Sequence, residues 1–387
     1  MHRVLVSDKL GAAALERLKE HDDIAVDVKT GLSKEDLLAI IPDYDALIVR
    51  SGTQVTADVL AAGKKLRVVG RAGVGVDNID VKAATMNGVI VMNTPGANSM
   101  ATAELTMALM LAVSRNIPQA HASLKAHEWR RSDFVGVQLY DKVLGIIGFG
   151  RVGKLVAERA RAFGMEVLAF DPIALEETAR EMGVMLVDMD ELLAKSDYIT
   201  LHAALNPGTA KLINAETIAQ MKTGAILINA ALKAAAVDVY SAEPPPADHP
   251  LIGLPNVVHM PHLGASTHEA ERDVGIQIVG QVVAALRGTD YAYAVNMPFE
   301  LGGDFATVRP YLELAETLGR LQAGLADRPI RRIEVEVQGD VVGGLVRAIG
   351  AALLKGLLEK DADVPVNYIN APLLAHQRNI TATQTVG

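Results

Sequence analysis

Short apolar runs separated by amphipathic stretches recur along the first 96 residues. VLVSD (4–8) is followed by the helical GAAALERLKEH, IAVDV (24–28), a polar helical stretch from Ser33 and DALIVR (45–50), then by LRVVGRAG (66–73) and VIVMNTPG (89–96). Apolar runs of this length, bounded by glycine and polar residues, read as strands buried on both faces, and the stretches between them as helices. Residues 1–96 are therefore predicted to form a small doubly wound α/β unit. In such a sheet ligands bind beyond the carboxyl ends of the strands, which places Arg50, Ser51, Ala72, Gly73, Val74 and Asn98 at a crevice edge.

A long apolar helix from Ser99 leads into a second series of strands: 143–147, 167–170, MLVD, YITLHA (198–203), AILINA (225–230), AAVDVY (235–240) and VVHMPH (257–262). The helix at 267–287 and RGTDYAYAVNMP then return to the first unit. A discontinuous first domain (1–96 and 264–298) thus flanks a second (97–263), giving two α/β domains, each a doubly wound parallel sheet, with a cleft between them. Residues 299–387 differ in character. FATVRPYLELAETLGRLQAGLA and VRAIGAALLKGLL read as helices, and RRIEVEVQG alternates with Ile333, Val335 and Val337 on one face. A partial α+β domain is expected, ending at TATQTVG without a completing strand.

The stretch GIIGFGRVG (145–153) joins a strand to the helical AERARAFG, and the next strand, VLAF, ends on Asp171. This is a dinucleotide-binding pattern. Gly148 permits the tight turn, Gly150 lets the backbone approach a pyrophosphate, and Gly153 lets helix and strand pack closely. The phosphates then lie on a helix N-terminus, where unpaired N–H groups and the helix dipole favour anions. The Asp171 carboxylate accepts hydrogen bonds from the ribose hydroxyls and repels a 2′-phosphate. Pro172 follows it instead of an arginine, so NAD is expected over NADP, on a Rossmann-like sheet.

Composition narrows the remaining classes. At 387 residues, 50% of them hydrophobic, the chain has material for two or three domains. A formal net charge of −9 argues against a nucleic-acid or membrane surface. The absence of cysteine excludes disulfides, zinc–thiolate sites and thiol nucleophiles, and no metal site is expected. No secretory leader is evident, and the most apolar helix carries Glu104, so a cytoplasmic location is expected.

With these segments in view, the chain resembles the D-isomer-specific 2-hydroxyacid dehydrogenases. The resemblance is carried by VRSGT (49–53), GRAGVGVDNID (70–80), NTPGANSMATAEL (93–105), GIIGFGRVG (145–153), DVYSAEPP (238–245) and PHLGAST (261–267). It implies that His262 is the acid–base residue and Glu243 its partner, stabilising the imidazolium and holding the tautomer. It also implies that Asp238 holds the nicotinamide carboxamide. Val74, Arg151, Val152, Ala203, Ala230, Ala231, Leu263, Gly264 and Ala265 fall at NAD contacts, and Arg50, Ser51, Gly73 and Asn98 where substrate is gripped. Ala203 and Ala204 replace the more usual Thr-Pro after His202.

Residues 310–374, with RPYLELAETLGRL and PVNYINAPLLA, look like the intervening domain of the family's long form, whose usual ACT domain is not found here. That implies a phosphorylated 2-hydroxy acid as substrate, D-3-phosphoglycerate oxidised to 3-phosphohydroxypyruvate. The alternatives are glyoxylate or hydroxypyruvate reduction, or a non-catalytic NAD-sensing interaction protein on the same fold. The basic loop Trp129, Arg130, Arg131 reads either as a phosphate contact or as a solvated turn. The family is built on dimers, often paired into tetramers, and the excess apolar surface of helix 99–113 points to a homodimer or homotetramer.

One departure stands out. The family places a catalytic arginine in NxARGG, whereas this chain reads INAALKAAAVDVY, with Leu232 at that position. AILIN (225–229) and AAAVDV (234–239) both read as buried parallel strands, and parallel neighbours need a crossover of roughly a dozen or more residues. ALKA cannot supply one. The expectation is that a crossover bearing the arginine is absent from this sequence.

Overall fold

The computed structural model describes residues 1–387 apart from 204–207, 210, 229–234, 241, 255, 300–304, 327, 340–342, 361, 363 and 387. The chain forms two compact units, Met1–Ala97 with Glu271–Gly387, and Asn98–Ala270.

In the first unit strands alternate with helices as the apolar runs predict. The elements are β1 (His2–Val6), α1 (Ala12–Lys19), β2 (Ile24–Val28), α2 (Lys34–Ile40), β3 (Ala46–Val49), α3 (Ala57–Ala62), β4 (Val68–Arg71), α4 (Val81–Met86) and β5 (Ile90–Met92). All pairings in the sheet are parallel, in the order β2-β1-β3-β4-β5. Two cores sandwich it. Leu5, Leu47 and Val69 face a cluster with Leu37, Tyr44 and Leu60, while Val4, Val6 and Ile48 face the other side.

The second unit runs through α5 (Ser99–Ser114), α6 (Ile117–Lys125), β6 (Val143–Ile147), α7 (Arg151–Ala162), β7 (Glu166–Phe170) and α8 (Glu176–Glu181). It continues through β8 (Met185–Leu186), α9 (Met189–Lys195), β9 (Tyr198–Leu201), α10 (Ala215–Gln220), β10 (Ile226–Ile228), β11 (Ala235–Val237) and β12 (Val257–His259). The sheet order is β12-β11-β10-β9-β6-β7-β8, again with every pairing parallel. β10 and β11 are direct neighbours, although only residues 229–234 join them. Helix α5 buries Ala103, Met107, Leu109, Met110 and Val113 in this unit's own core. Its apolar excess is thus largely used inside the chain, and it gives no ground for an oligomer.

Helix α11 (His268–Arg287) lays Ile278 and Val282 on the first sheet at Gly70, where a Cβ would come within 2.5 Å of Val282 Cγ2. The carboxy-terminal segment adds α12 (Phe305–Leu325), β13 (Arg332–Val337), α13 (Val346–Leu358), α14 (Ala371–Gln377) and β14 (Thr381–Val386). β14 corrects the sequence-based expectation, which has no strand in TATQTVG: it pairs in parallel with β13 from Arg332↔Thr381 to Val337↔Val386. Threonine fits a pleated strand through its β-branch without an apolar signal, so hydrophobic periodicity misses it. Among the described residues no helix is long and apolar enough to cross a membrane.

Helices α12 and α13 meet backbone to backbone. A Cβ on Gly319 would lie 2.1 Å from Leu353 O, and one on Gly356 would lie 2.0 Å from Glu316 O. Gly356→Ala must push the helices apart and should destabilise this segment by about 1–3 kcal/mol. Thermal unfolding of the variant tests this, and an unchanged transition would mean that the helices are not so closely apposed.

Candidate active site

The glycine turn behaves as its residue types require. Gly148 has φ +95°, and a Cβ there would lie 2.6 Å from Ala203 N. A Cβ on Gly153 would strike Gly148 O at 2.2 Å, whereas at Gly150 it would meet nothing within 4 Å. The open space at Gly150, at the N-terminus of α7, therefore fits an approaching pyrophosphate. Arg151 and Val152 begin that helix, and Arg151 is exposed. Asp171, just past β7, is held by Phe149 N–H to Oδ2 at 2.8 Å and Ile173 N–H to Oδ1 at 3.0 Å. Each oxygen keeps a second lone pair for a ribose hydroxyl. Ala203 is exposed beside this turn.

The Glu243–His262 pair, expected to be the acid–base pair, lies at the edge where β11 and β12 end. His262 Nδ1 is 2.6 Å from Glu243 Oε2, and Tyr240 N–H donates to Glu243 Oε1 at 3.0 Å. The His262 backbone is in the left-handed region, φ +55°, unusual for a residue with a side chain. Asp238, only 5% exposed, secures it. Its carbonyl accepts His262 N–H at 2.9 Å, its Oδ1 accepts Leu263 N–H at 2.7 Å, and its Oδ2 accepts Gly264 N–H at 2.9 Å. Asp238 thus clamps the PHLGAST turn, a role that the sequence does not reveal. Tyr240 OH in turn meets His259 Nδ1 at 3.1 Å behind the pair.

In the first unit, Arg50 and Ser51 follow β3, and Gly73 and Val74 follow β4. Asp8, which sequence reasoning misses, organises this loop: its Oδ2 accepts Arg50 N–H at 2.7 Å and Thr53 N–H at 3.0 Å, and its Oδ1 accepts the Thr53 hydroxyl at 2.9 Å. Buried Asn78 donates to Arg50 O at 2.7 Å and Thr53 O at 2.6 Å. The Arg50 guanidinium pairs with Glu271 at 3.1 Å. Arg71, also missed, is lodged under Gly73 and pairs with Asp77 at 3.3 Å, and its burial lowers its pKa. Asn98 stands in the second unit as the residue before α5. In the basic loop, Arg130 is held by Asp133 at 2.7 Å and Glu128 at 3.4 Å, while Trp129 is 82% exposed. Ala230, Ala231 and Leu232 lie outside the described residues. Among the described residues no group of three or more His, Asp or Glu side chains could hold a metal ion.

Comparison with known proteins identifies the family. Residues 107–232 and 230–264 match the family model for the NAD binding domain of D-isomer specific 2-hydroxyacid dehydrogenases, and 307–386 match the D-3-phosphoglycerate dehydrogenase intervening domain. The D-3-phosphoglycerate dehydrogenase of Methanocaldococcus jannaschii is 45% identical over 404 aligned positions, covering 100% of this chain and 76% of that one. The chain belongs to the D-3-phosphoglycerate dehydrogenase family. The Bacillus subtilis D-3-phosphoglycerate dehydrogenase is 40% identical over the same proportions, 100% and 76%.

Solved structures agree on the fold. A Thermus thermophilus protein superposes with a TM-score of 0.68 at 34% identity, covering 76% of this chain and 99% of its own. The NAD+-bound 3-phosphoglycerate dehydrogenase of Entamoeba histolytica gives 0.63 at 26% identity, with 76% and 98% covered. Family membership also sharpens the departure. The M. jannaschii alignment runs over 404 positions against 387 residues here, so it includes at least 17 that this chain lacks. The NAD-domain match itself breaks at 230–232, where the arginine-bearing crossover is expected.

Two outcomes follow. Asp171→Ala removes a charged acceptor for the ribose and should weaken NAD binding by about 10- to 100-fold while narrowing the preference over NADP. Titrating both dinucleotides against the variant checks this, and unchanged selectivity would remove Asp171 from the site. His202, after β9, lies 3.0 Å from the Thr200 hydroxyl, and burial pushes its pKa down to about 4. Its folded-state pKa is below the unfolded value of about 6.5, so between these values the unfolded chain binds more protons. The Asn98–Ala270 unit should lose up to about 3 kcal/mol as pH falls through that window, a loss absent from His202→Asn. Denaturant unfolding at a series of pH values measures the difference.

Proposed function

We propose that this chain is an NAD-dependent oxidoreductase that oxidises the C2 hydroxyl of D-3-phosphoglycerate to 3-phosphohydroxypyruvate, the entry to serine synthesis. The observation that carries this reading is the Glu243–His262 pair at 2.6 Å, in the same compact unit as the glycine turn and Asp171. His262 takes the proton of the C2 hydroxyl through Nε2 while Glu243, on Nδ1, steadies the imidazolium that forms. In the reverse direction His262 returns that proton to the carbonyl oxygen. NAD, when bound, supplies the acceptor for the hydride that leaves C2. Gly148, Gly150, Gly153, Arg151 and Val152 take the pyrophosphate, and Asp171 the adenosine ribose.

Val74, Ala203, Ala230, Ala231, Leu263, Gly264 and Ala265 complete the NAD contacts in this reading. Asp238 serves twice, clamping the His262 turn and offering its remaining lone pairs to the carboxamide. Arg50, Ser51, Gly73 and Asn98 hold the phosphorylated acid. The corresponding domains are 1–96 with 264–298 for substrate, 97–263 for NAD and 299–387 as the intervening domain. We assign a cytoplasmic homodimer or homotetramer. Exposed Trp129 and Val135, each 82% accessible, support a contact with a second copy.

The missing guanidinium sets the expected rate. In this chemistry an arginine binds the substrate carboxylate bidentately and polarises the carbonyl, and loss of one such group costs about 10²–10³ in turnover. NADH oxidation with 3-phosphohydroxypyruvate, beside glyoxylate, compares this chain with one in which the relatives' crossover is inserted between Ala231 and Leu232. Both should bind NADH and prefer 3-phosphohydroxypyruvate, the inserted form faster by about 10²–10³. An inserted form that binds NADH without turnover, or that prefers glyoxylate, would overturn the assignment. The absent arginine favours one second reading, an NAD-sensing interaction protein, for which the dinucleotide would bind without being consumed in either form.

A further inference from the structure

The side chains of the Glu243–His262 pair are 36% and 55% exposed, so packing alone does not set their rotamers. A carboxylate this accessible has several staggered orientations open to it, and it must be held in one of them to present Oε2 to His262 Nδ1 at 2.6 Å. The Tyr240 N–H holds the other oxygen, Oε1, at 3.0 Å. Tyr240 lies beyond the last paired residue of β11, Val237, so the sheet ladder does not aim that N–H. What fixes Tyr240 therefore decides where Glu243 points.

Tyr240 is held through its side chain. Its ring packs with Ala235, Val237, Leu251 and Val257, and stands edge to face with His249, centroids 5.5 Å apart. Its hydroxyl meets Nδ1 of His259 at 3.1 Å. His259 is the last residue of β12 and pairs with Val237 of β11, and strand alternation puts its side chain on the same face as Val257. Among the described residues Nε2 of His259 is buried without a partner, so the ring's polar contact is made through Nδ1. An imidazole set beside an apolar cluster is costly unless that contact is made. Burial raises the pKa of Tyr240, and the carboxylates of Asp238 and Glu243 add to the shift, so at neutral pH the hydroxyl keeps the proton that it donates to Nδ1. Asp238 thus ties the histidine of the pair to the end of β11, while His259, through Tyr240, ties the glutamate to the end of β12.

We propose that Tyr240 and His259 are positioning residues for the acid–base pair, their side-chain contact aiming the Tyr240 N–H that holds Glu243 against His262. Neither residue touches the reacting atoms. Their effect passes to the His262 ring, because Glu243 Oε2 accepts from Nδ1–H and leaves Nε2 without a proton, ready to take one from a hydroxyl. With the Tyr240–His259 contact cut, Glu243 Oε1 loses a fixed donor, the carboxylate leaves Nδ1 for part of the time, and the ring relaxes toward the other tautomer. This inference deepens the dehydrogenase reading and rests on it for any effect on rate, whereas the effect on the His262 ring needs no substrate.

Ring 15N shifts of the full chain labelled with 15N-histidine, recorded without substrate at a pH where imidazoles are neutral, read the tautomer of His262. His262→Asn identifies its signals, and Glu243→Gln gives the ring without the carboxylate. Tyr240→Phe, which removes one oxygen and keeps the backbone N–H, and His259→Leu should each move the tautomer ratio toward that of Glu243→Gln by about 2- to 10-fold, the worth of one hydrogen bond. The double variant should go no further than either single one, because both cut the same contact. His259→Asn, whose amide falls near the place of Nδ1, should keep the ratio of the parent chain. In the crossover-bearing form, NADH oxidation with 3-phosphohydroxypyruvate should show kcat lowered by a similar factor in Tyr240→Phe with KM unchanged. A tautomer unmoved by Tyr240→Phe, additive changes in the double variant, or a His259→Asn ratio equal to that of His259→Leu would overturn the proposal. A tautomer that follows the contact in a protein that turns over no substrate would sustain it and sink the dehydrogenase reading alone.

Discussion

Parallel pairing is the constraint from which the rest of this molecule follows. Every described strand pair in both large sheets runs in the same direction, so each connection must return the chain to the same starting edge. All carboxyl ends therefore gather on one side of each sheet, and the groups proposed to act on ligands sit there: Arg50 after β3, the glycine turn after β6, Asp171 after β7 and Asp238 after β11. The same rule exposes the anomaly between β10 and β11. Parallel neighbours joined by residues 229–234 alone lack the length of a helical crossover, and the match to the family's NAD-domain model breaks at the same place.

Within that frame, buried or half-buried carboxylates give the loops their shape. Asp238 fixes His262 by spending both oxygens and its carbonyl on three consecutive N–H groups, and this holds a histidine in a left-handed conformation that would otherwise be costly. Asp8 does the same for the Arg50–Thr53 loop, and Asp171 for the turn around Phe149. In each case the acid satisfies backbone donors that would be left unpaired at the end of a strand. Pre-organisation and chemistry thus draw on the same side chains. Removing one of these acids disturbs the loop as well as any contact it makes with a ligand.

The carboxy-terminal segment is held by different means. Gly319 and Gly356 let α12 and α13 touch through their backbones, and the buried Glu316 carboxylate gathers Lys355, Arg320 and Tyr368 around it. Part of that cluster, Lys355 and Tyr368, lines a cavity with Asp45, Arg67 and Ile90 at the amino ends of β3, β4 and β5.

Much was legible in the sequence wherever the physics is local. Apolar runs located the strands of both large sheets, because a strand buried on both faces needs nearly continuous apolar residues. GIIGFGRVG and Asp171 pointed to a dinucleotide site, because a tight turn and a close backbone approach require glycine at fixed spacings. The hydrophobic pattern missed β14, whose threonines satisfy strand geometry without apolar weight. Only the tertiary structure could bring Glu243 to His262 across 19 residues, Asp8 to Arg50 across 42, or Asn367 to Gly88 across 279. Those encounters depend on which strands become neighbours and on how helices cross. That choice is made by packing between distant segments, which no local pattern of residues encodes.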